Sequence, residues 1–239
     1  MGRIFLTGDL HGGCDNSLSK FCPPNIEDFN LVTKDDVMII LGDYGMLWDA
    51  EDNISQREKD ANVLMENLPF TTLFLDGNHE NHPRLEKLPT ASLYGGEVGK
   101  VSESVYHLRR GQIYTINGMS FFVMGGARSV DKHHRTEFVS WWKTEEPSYA
   151  EMNFGIDNLA RHGNKVDYIL THDCPSTIAS LIYAKYGNFK PGGVNKYFDT
   201  LYPTVDFKHW YFGHHHRNVT IGVKYSCLYF DIVEIKNMS

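Results

Sequence analysis

The sequence predicts an α/β fold with a parallel sheet, because short apolar segments alternate with a helical pattern. Residues 4–6, 37–41 and 71–75 are apolar runs that are too short for independent helices and have the composition of buried strands. Between the last two runs, residues 54–68 carry apolar side chains at the spacing of one helical face, and Ser55 is suited to cap that helix. Each run is followed by a polar motif that contains glycine. Ligands collect at the carboxyl ends of parallel strands, so these motifs mark the predicted site.

The rest of the chain predicts a second set of strands. Asn117-Gly118 lies between two strand-like segments and is a strong hairpin signal. Segments 219–223 and 228–235 are typical of antiparallel strands, and we expect both to close a second sheet. Residues 14–33 are polar and irregular, so we expect a surface segment there. The other predicted elements are strands at 114–116, 119–123, 166–170 and 210–212, a helix at 150–162, a helix from 176 to 184, and loop and helix at 188–205.

Length and composition favour one soluble domain. The 239 residues, of which 41% are hydrophobic, can bury a substantial core, and we expect residues 1–239 to form a single domain. The four cysteines form no C-x-x-C pair, and no apolar run approaches the ~20 residues of a membrane helix, so we expect reduced thiols, no membrane contact and a cytoplasmic location. A net charge of -7 disfavours long nucleic acid as a partner. No obligate protein partner is evident.

Polar residues that are able to bind metal follow the predicted strands in five motifs. Asp9 and His11 are two residues apart, which on extended backbone directs both side chains to the same side. A single histidine of this kind is more often a surface or core residue than a ligand. Five motifs at five strand ends, however, rarely coincide by chance. The residues in these motifs are Asp9, His11, Asp43, Asn78, His79, His172, His214 and His216.

These side chains suit a pair of divalent transition-metal ions. Mixed imidazole, carboxylate and carboxamide ligands favour Mn²⁺, Fe or Zn²⁺ over Mg²⁺ and Ca²⁺, and the sequence does not choose among the three. Two such cations about 3.5–4 Å apart can clamp the oxygens of an in-line displacement at phosphorus. A water that bridges them would have its pKa lowered from about 15.7 toward roughly 7, which produces a hydroxide nucleophile at neutral pH. We therefore expect two metal ions and a small phosphorylated substrate.

The order of these motifs resembles that of the calcineurin-like metallophosphoesterase family. The family motifs D-x-H, G-D, G-N-H-E/D, H and G-H-x-H are matched in order by Gly8-Asp9-Leu10-His11-Gly12, Gly42-Asp43, Gly77-Asn78-His79-Glu80, Thr171-His172 and Gly213-His214-His215-His216. The resemblance spans residues 8–216. It implies a four-layer α/β/β/α sandwich of two mixed sheets, with the metals above the strand ends. It also implies a metal-dependent phosphoric ester hydrolase in which a metal-bridging hydroxide attacks phosphorus.

The same resemblance implies a role for each polar residue of the motifs. It assigns one metal to Asp9, His11 and His216, the other metal to Asn78, His172 and His214, and the bridging position to Asp43. His79 is similar to the family's catalytic histidine. That residue stabilises the transferring phosphoryl group or protonates the leaving oxygen, a task suited to an imidazole near neutral pH.

The chain departs from the serine/threonine protein phosphatases of that family. Their motifs continue as G-D-x-V-D-R-G and R-G-N-H-E, whereas here Tyr44 follows Asp43 and Asp76 precedes Gly77. Both arginines that would clamp phosphate are missing from these positions. The replacement cations that we predict lie in the loop after Gly125-Gly126-Ala127, and they are Arg128 and Arg135, with His133 or His134 assisting.

Three functions are compatible with these motifs. The first is hydrolysis of phosphomonoesters or small phosphodiesters. The second is a dinucleoside-polyphosphate hydrolase or nuclease-type phosphodiesterase, for which the net charge disfavours long polymers but not small nucleotides. The third is a protein-interaction scaffold with a decayed metal site. A scaffold predicts lost ligands, and no motif position is lost.

Overall fold

The computed structural model describes residues 2–23, 25–185 and 189–236, and these form two mixed β-sheets with helices on their outer faces. The strands are β1 (Ile4–Thr7), β2 (Val37–Ile40), β3 (Thr71–Phe74), β4 (Thr90–Leu93), β5 (Gly96–Lys100), β6 (Val105–Leu108), β7 (Ile113–Ile116), β8 (Met119–Met124), β9 (Tyr168–Thr171), β10 (His209–Phe212), β11 (Val219–Ile221), β12 (Tyr225–Cys227) and β13 (Val233–Ile235). The α-helices are α1 (Gln56–Asn67), α2 (His82–Lys87), α3 (Tyr149–Arg161), α4 (Ser176–Ile182) and α5 (Gly193–Leu201).

Each sheet has a parallel centre and antiparallel edges. The first sheet has the order β13-β1-β2-β3-β6-β5-β4, in which β1, β2, β3 and β6 are parallel. The second has the order β11-β12-β10-β9-β8-β7, in which β8, β9, β10 and β12 are parallel. The parallel centres bring the carboxyl ends of several strands to one edge of the sandwich.

Alternating side chains on the strands divide the core into three layers. In β1, Ile4 and Leu6 pack in the cluster between the two sheets, whereas Phe5 packs in the cluster that contains residues of α1 and α2. In β8, Phe121 joins the cluster between the sheets, whereas Phe122 packs with residues of α3, α4 and α5. Because strand side chains alternate between faces, each sheet is covered on both sides. This arrangement confirms the α/β/β/α sandwich that the motifs implied.

Local signals in the sequence account for several elements. The hydroxyl of Ser55 accepts the backbone N–H of Glu58 and so caps α1 as expected. Asn117 and Gly118 have φ values of 53° and 77°, which matches the turn required between β7 and β8. The helices predicted at 150–162 and from 176 are α3 and α4.

One part of the chain that we expected at the surface is partly buried. Residues His11–Phe21 form a 3-10 helix, and Phe21 and Ile26 pack in the outer core beside the first sheet. Lys20 is also buried, because its Nζ donates to the backbone carbonyls of Gly8 and Asp9. The prediction of a surface segment at 14–33 was therefore wrong for these residues. Polar composition did not indicate that strand-end carbonyls need a buried donor.

The last strand belongs to the first sheet and not to the second. β11 and β12 pair antiparallel in the second sheet as expected, but β13 pairs antiparallel with β1. β13 forms hydrogen bonds with the edge of β1 that β2 does not occupy, so the chain crosses from the second sheet to the first after β12. The prediction that segment 228–235 closes the second sheet was therefore wrong.

The part of the chain that the structure describes contains no helix that is both long and apolar enough to cross a membrane.

Candidate metal centre

Loops after five parallel strands bring the predicted ligands to one edge of the sandwich. Asp9 follows β1, Asp43 follows β2, Asn78 and His79 follow β3, His172 follows β9, and His214 and His216 follow β10. The ligands thus come from both sheets, and the site lies where the carboxyl ends of the two parallel centres meet.

Two glycines allow the loops of the two sheets to approach each other. Gly42 has a φ of +95°, and a Cβ atom on it would lie 2.1 Å from Nδ1 of His172. A Cβ atom on Gly213 would lie 2.4 Å from Oδ1 of Asp9. Both contacts join one sheet to the other, and only a residue without a side chain permits them.

The first predicted metal position is formed by side chains that converge closely. Single ligand atoms of Asp9, His11, Asp43 and His216 all lie within 4.8 Å of one another. Nε2 of His216 is 3.1 Å from Oδ2 of Asp9 and 2.8 Å from Nε2 of His11. Oδ2 of Asp9 is buried, yet it accepts no hydrogen bond of regular geometry from the described residues. An oxygen and two imidazole nitrogens therefore point at a common position.

The second predicted position is built around His172. Its Nδ1 donates to the Leu41 carbonyl at 2.7 Å, which leaves Nε2 facing Oδ1 of Asp43 and Oδ1 of Asn78, each at 3.3 Å. The amide nitrogen of Asn78 donates to the hydroxyl of Ser129, so the amide oxygen is the atom turned toward the site. The ring of His172 and the amide of Asn78 are thus held with Nε2 and Oδ1 turned toward the site, as metal binding requires.

His214 joins this group less directly. Its ring centroid is 5.0 Å from that of His172, and its backbone N–H donates to Oδ1 of Asp9. Its nearest carboxylate, however, is Asp173, whose Oδ2 lies 3.9 Å from Nε2 of His214. Ligand atoms of Asp173, His214 and His215 lie within 4.8 Å of one another. The structure therefore places His214 between the predicted centre and a neighbouring acid that the sequence analysis did not single out.

Four of the predicted ligands have a left-handed backbone. The φ values of His11, Asp43, His214 and His216 are 49°, 49°, 65° and 48°. This region is sparsely populated by residues other than glycine, and such strain persists only where the surrounding structure holds it. Its concentration at one site supports a functional role for these loops.

The buried charges of the site favour an added cation. Burial alone would raise the pKa of Asp43, but nearby His172, His79 and His11 lower it well below the usual value. Burial alone would lower the pKa of His172, but Asp43 and Asp9 raise it to about 10. Two buried carboxylates thus demand positive charge, which a protonated imidazole or a metal ion can supply. The nitrogen and oxygen donors of the site fit divalent transition-metal ions, as does the buried Oδ2 of Asp9, which has no hydrogen bond of regular geometry among the described residues.

His79 lies against the same centre without joining the ligand groups. Its backbone N–H donates to Oδ1 of Asp43 at 2.7 Å, and its ring packs edge-on against that of His11 with centroids 4.9 Å apart. Burial lowers the pKa of His79, and the positive charge of Arg135 lowers it further against the opposing effect of Asp43. The ring also lines an open cavity together with His11 and His216.

The four predicted phosphate-binding residues lie in different places relative to the centre. Nη2 of Arg135 lies 2.9 Å from Nε2 of His79, and Arg135 forms an ion pair with Asp131. Arg128 lines a second cavity, on the side of His214. His133 and His134 are exposed and their rings contact each other at an angle of 46°, and among the described residues no hydrogen bond or ring contact joins them to the centre. Of these four residues, Arg135 is therefore the one that contacts the predicted catalytic histidine.

Sequence reasoning missed two acids that position the loops. Glu80 accepts the backbone N–H groups of Tyr44 and Gly45, which fixes the turn after Asp43. Asp173 contacts His214 and His215. The sequence contained a signal for each acid, since Glu80 ends the Gly-Asn-His-Glu motif and Asp173 directly follows His172. Neither spacing reveals which backbone or ring the carboxylate meets.

Comparison with known proteins supports the motif assignment. The family model described as calcineurin-like phosphoesterase matches residues 2–218. The chain is 26% identical over 113 residues to a lariat debranching enzyme of Schizosaccharomyces pombe, which covers 46% of this chain and 23% of that protein. It is 29% identical over 125 residues to a lariat debranching enzyme of Drosophila pseudoobscura pseudoobscura, which covers 50% of this chain and 21% of that protein. The chain thus aligns with less than a quarter of either relative.

Proposed function

The chain belongs to the calcineurin-like phosphoesterase family, and from this membership we propose that it hydrolyses phosphomonoesters or small phosphodiesters at a two-metal centre. The family match confirms the resemblance in the motifs and supports the assignment to the metal-dependent phosphoric ester hydrolases. The number of metal ions, their identity and the substrate class are parts of the proposal.

The observation that carries the proposal is the convergence of the ligand atoms on Asp43. Its Oδ2 is 3.7 Å from Nδ1 of His11, and its Oδ1 is 3.3 Å from Nε2 of His172. One carboxylate thus faces both groups of ligands, as a bridging residue must. Asp9, His11 and His216 would hold one ion, and Asn78, His172 and His214 would hold the other. Bound there, two divalent cations would polarise the phosphoryl group and activate water.

The remaining residues act on the substrate. Arg135 carries the guanidinium closest to His79, and guanidinium groups bind phosphate oxygens through two parallel hydrogen bonds. His79 lies beside the centre and would donate a proton to the departing oxygen or stabilise the phosphoryl charge. Asp131 holds Arg135 in place through an ion pair.

The diesterase alternative has separate support. Both aligned relatives are lariat debranching enzymes, and debranching opens a phosphodiester. A dinucleoside-polyphosphate hydrolase or nuclease-type activity is therefore the second candidate. We propose a small substrate over a long nucleic acid, because the net charge of -7 opposes a polyanion. A cytoplasmic location is also proposed, because all four cysteines are free.

The test is a substrate panel run with Mn²⁺, Zn²⁺ and Fe²⁺ in turn. The substrates are p-nitrophenyl phosphate, bis(p-nitrophenyl) phosphate, a dinucleoside tetraphosphate and a single-stranded RNA. We expect hydrolysis of at least one of the first two, lost in Asp43→Asn and retained in Asp206→Asn, a change at an exposed carboxylate. Inactivity toward every substrate with every metal would contradict the proposal. Preference for RNA would replace it with the nuclease alternative.

A further inference from the structure

A cavity of about 500 Å³ opens beside the candidate centre. One end is formed by His11, His79 and His216, and another part of the wall is formed by Met46 and Trp48. This volume lies in the range of small-molecule sites and is large enough for a nucleoside. The catalytic centre alone does not require so much space, since a phosphoryl group is far smaller.

The apolar wall of the cavity is held in place. The indole of Trp48 packs edge-on against that of Trp142, with ring centroids 5.5 Å apart. The backbone N–H of Trp48 donates to Oε2 of Glu58 at 2.8 Å, and Arg84 forms an ion pair with the same carboxylate. Met46 is buried below. A flat aromatic ligand would therefore meet a preformed surface and would lose little free energy to ordering it.

The rim of the cavity carries both hydrogen-bond donors and hydrogen-bond acceptors. Nη2 of Arg57 contacts Sγ of Cys14 at 3.1 Å, and among the described residues no carboxylate lies within ion-pair distance of this guanidinium. Asp49 and Ser55 also line the cavity. A guanidinium can stack on an aromatic ring, and carboxylate and hydroxyl oxygens can accept from ring amines or sugar hydroxyls.

The position of His79 decides which part of the substrate occupies the cavity. Its ring lines the cavity and lies next to Asp43, so a group departing toward His79 would enter this space. We propose that the cavity binds the leaving alcohol, and that this alcohol carries a planar aromatic group of nucleoside size. The inference rests on the proposed function. In the reaction, the oxygen of water forms a P–O bond and water releases one proton, the P–O bond to the alcohol breaks, and the departing oxygen takes up one proton from the protonated ring of His79.

The first test compares adenosine 5′-monophosphate with ribose 5-phosphate. Both release the same type of primary alcohol, so a rate difference reports the binding of the base and not the chemistry. Stacking of a base on an aromatic side chain increases binding affinity by roughly tenfold to a hundredfold. We therefore expect kcat/KM to be higher for the nucleotide by that factor. A ratio near one in the wild type would overturn the proposal.

Variants locate the effect in the cavity. Trp48→Ala is expected to bring the ratio of kcat/KM between the nucleotide and ribose 5-phosphate close to one, and Trp48→Phe is expected to retain most of the preference. Ala61→Phe, which fills the cavity from α1, should act like Trp48→Ala. The matched control is Tyr149→Ala, which removes an exposed aromatic ring of α3 that is not part of the lining. The proposal would be contradicted if Tyr149→Ala lost the preference for the nucleotide to the same extent. It would also be contradicted if Trp48→Ala and Ala61→Phe both kept the wild-type preference.

A binding measurement separates this inference from the proposed function. Titration calorimetry of adenosine into the metal-free protein needs no turnover, and we expect binding that weakens by roughly tenfold or more in Trp48→Ala. If no phosphoester is hydrolysed but adenosine binds in this way, the proposed activity fails and the cavity assignment stands. If phosphoesters are hydrolysed but adenosine does not bind, the cavity assignment fails alone.

Discussion

Nη2 of Arg135 lies 2.9 Å from Nε2 of His79, and the backbone N–H of the same histidine donates to the carboxylate of Asp43. A guanidinium has donors only, so the ring nitrogen that it meets must accept. His79 is therefore neutral while Arg135 lies against it, in line with the pKa that burial and Arg135 lower. It would have to take up a proton, with Arg135 turned from the ring to the substrate phosphate, before it could protonate a departing oxygen. The contact joins the cation that we propose in place of the missing clamps to the histidine that we propose beside the departing oxygen.

Removal of the Arg135 guanidinium should weaken substrate binding in the reaction. Arg135→Ala is expected to lower kcat/KM for p-nitrophenyl phosphate by roughly tenfold to a few hundredfold, since a hydrogen bond to a charged group contributes about 1.5–3 kcal/mol. Metal content should not change. Arg161→Ala, at an exposed position at the end of α3, is the matched control and should retain the wild-type rate. Wild-type kinetics in Arg135→Ala would remove this residue from the site.

The role of His79 is tested by substrates that differ in the leaving group. His79→Asn should retain both metals and lose about 10²- to 10⁴-fold in rate on an alkyl phosphate, the usual range for general acid catalysis. The loss should shrink for p-nitrophenyl phosphate, whose leaving group hardly requires a proton. The measurement is metal content together with both rates. Loss of a metal would make His79 a ligand, and equal losses on both substrates would favour charge stabilisation over proton donation.

The sequence predicted the strands and their motifs well because these signals are local. A short apolar run followed by glycine and a ligand fixes β1, β2 and β3 and the residues after them. The partner of β13 is decided by which sheet edge stays open, and no local pattern encodes that choice. The same holds for Asp173 and for Trp48, since their roles depend on neighbours that only the fold brings close. The assignment of individual metal ligands stays a prediction.

Asp173 is expected to position the histidines after β10. Its Oδ1 lies 3.1 Å from Nε2 of His215, and its Oδ2 faces His214. Loss of such a carboxylate typically costs about 10- to 100-fold in metal affinity. We therefore expect Asp173→Asn to weaken the binding of one Mn²⁺ equivalent by that factor, measured by calorimetric titration. Asp167→Asn, which lies before β9 and pairs with Lys208, is the control and should bind both equivalents normally. Unchanged affinity in Asp173→Asn would make this acid purely structural.

A buried histidine makes the fold sensitive to acid. Burial, with help from the charge of Arg110 and against the effect of Asp76, lowers the pKa of His82 from 6.5 to about 3. Between these values the unfolded chain binds the proton and the folded chain does not, so the free energy of unfolding falls as pH drops below 6.5. The loss is about 1.4 kcal/mol per pH unit for one such group.

Urea unfolding of the metal-free protein at pH 7.5 and pH 5.5 measures this effect. The decrease between the two pH values should be smaller in His82→Gln than in the wild type by about 1–1.5 kcal/mol. His162→Gln, at an exposed position after α3, should behave like the wild type. An identical pH dependence in His82→Gln and the wild type would show that His82 does not remain neutral in the folded protein.

We propose that Asp43 serves two metal ions at once. The most direct measurement is the metal content of the Mn²⁺-loaded protein after removal of free metal, compared between the wild type and Asp43→Asn. We predict two equivalents in the wild type and reduced occupancy of both positions in the variant, because Asp43 faces His11 on one side and His172 on the other. At most one equivalent in the wild type, or one fully retained equivalent in Asp43→Asn, would contradict the two-metal centre.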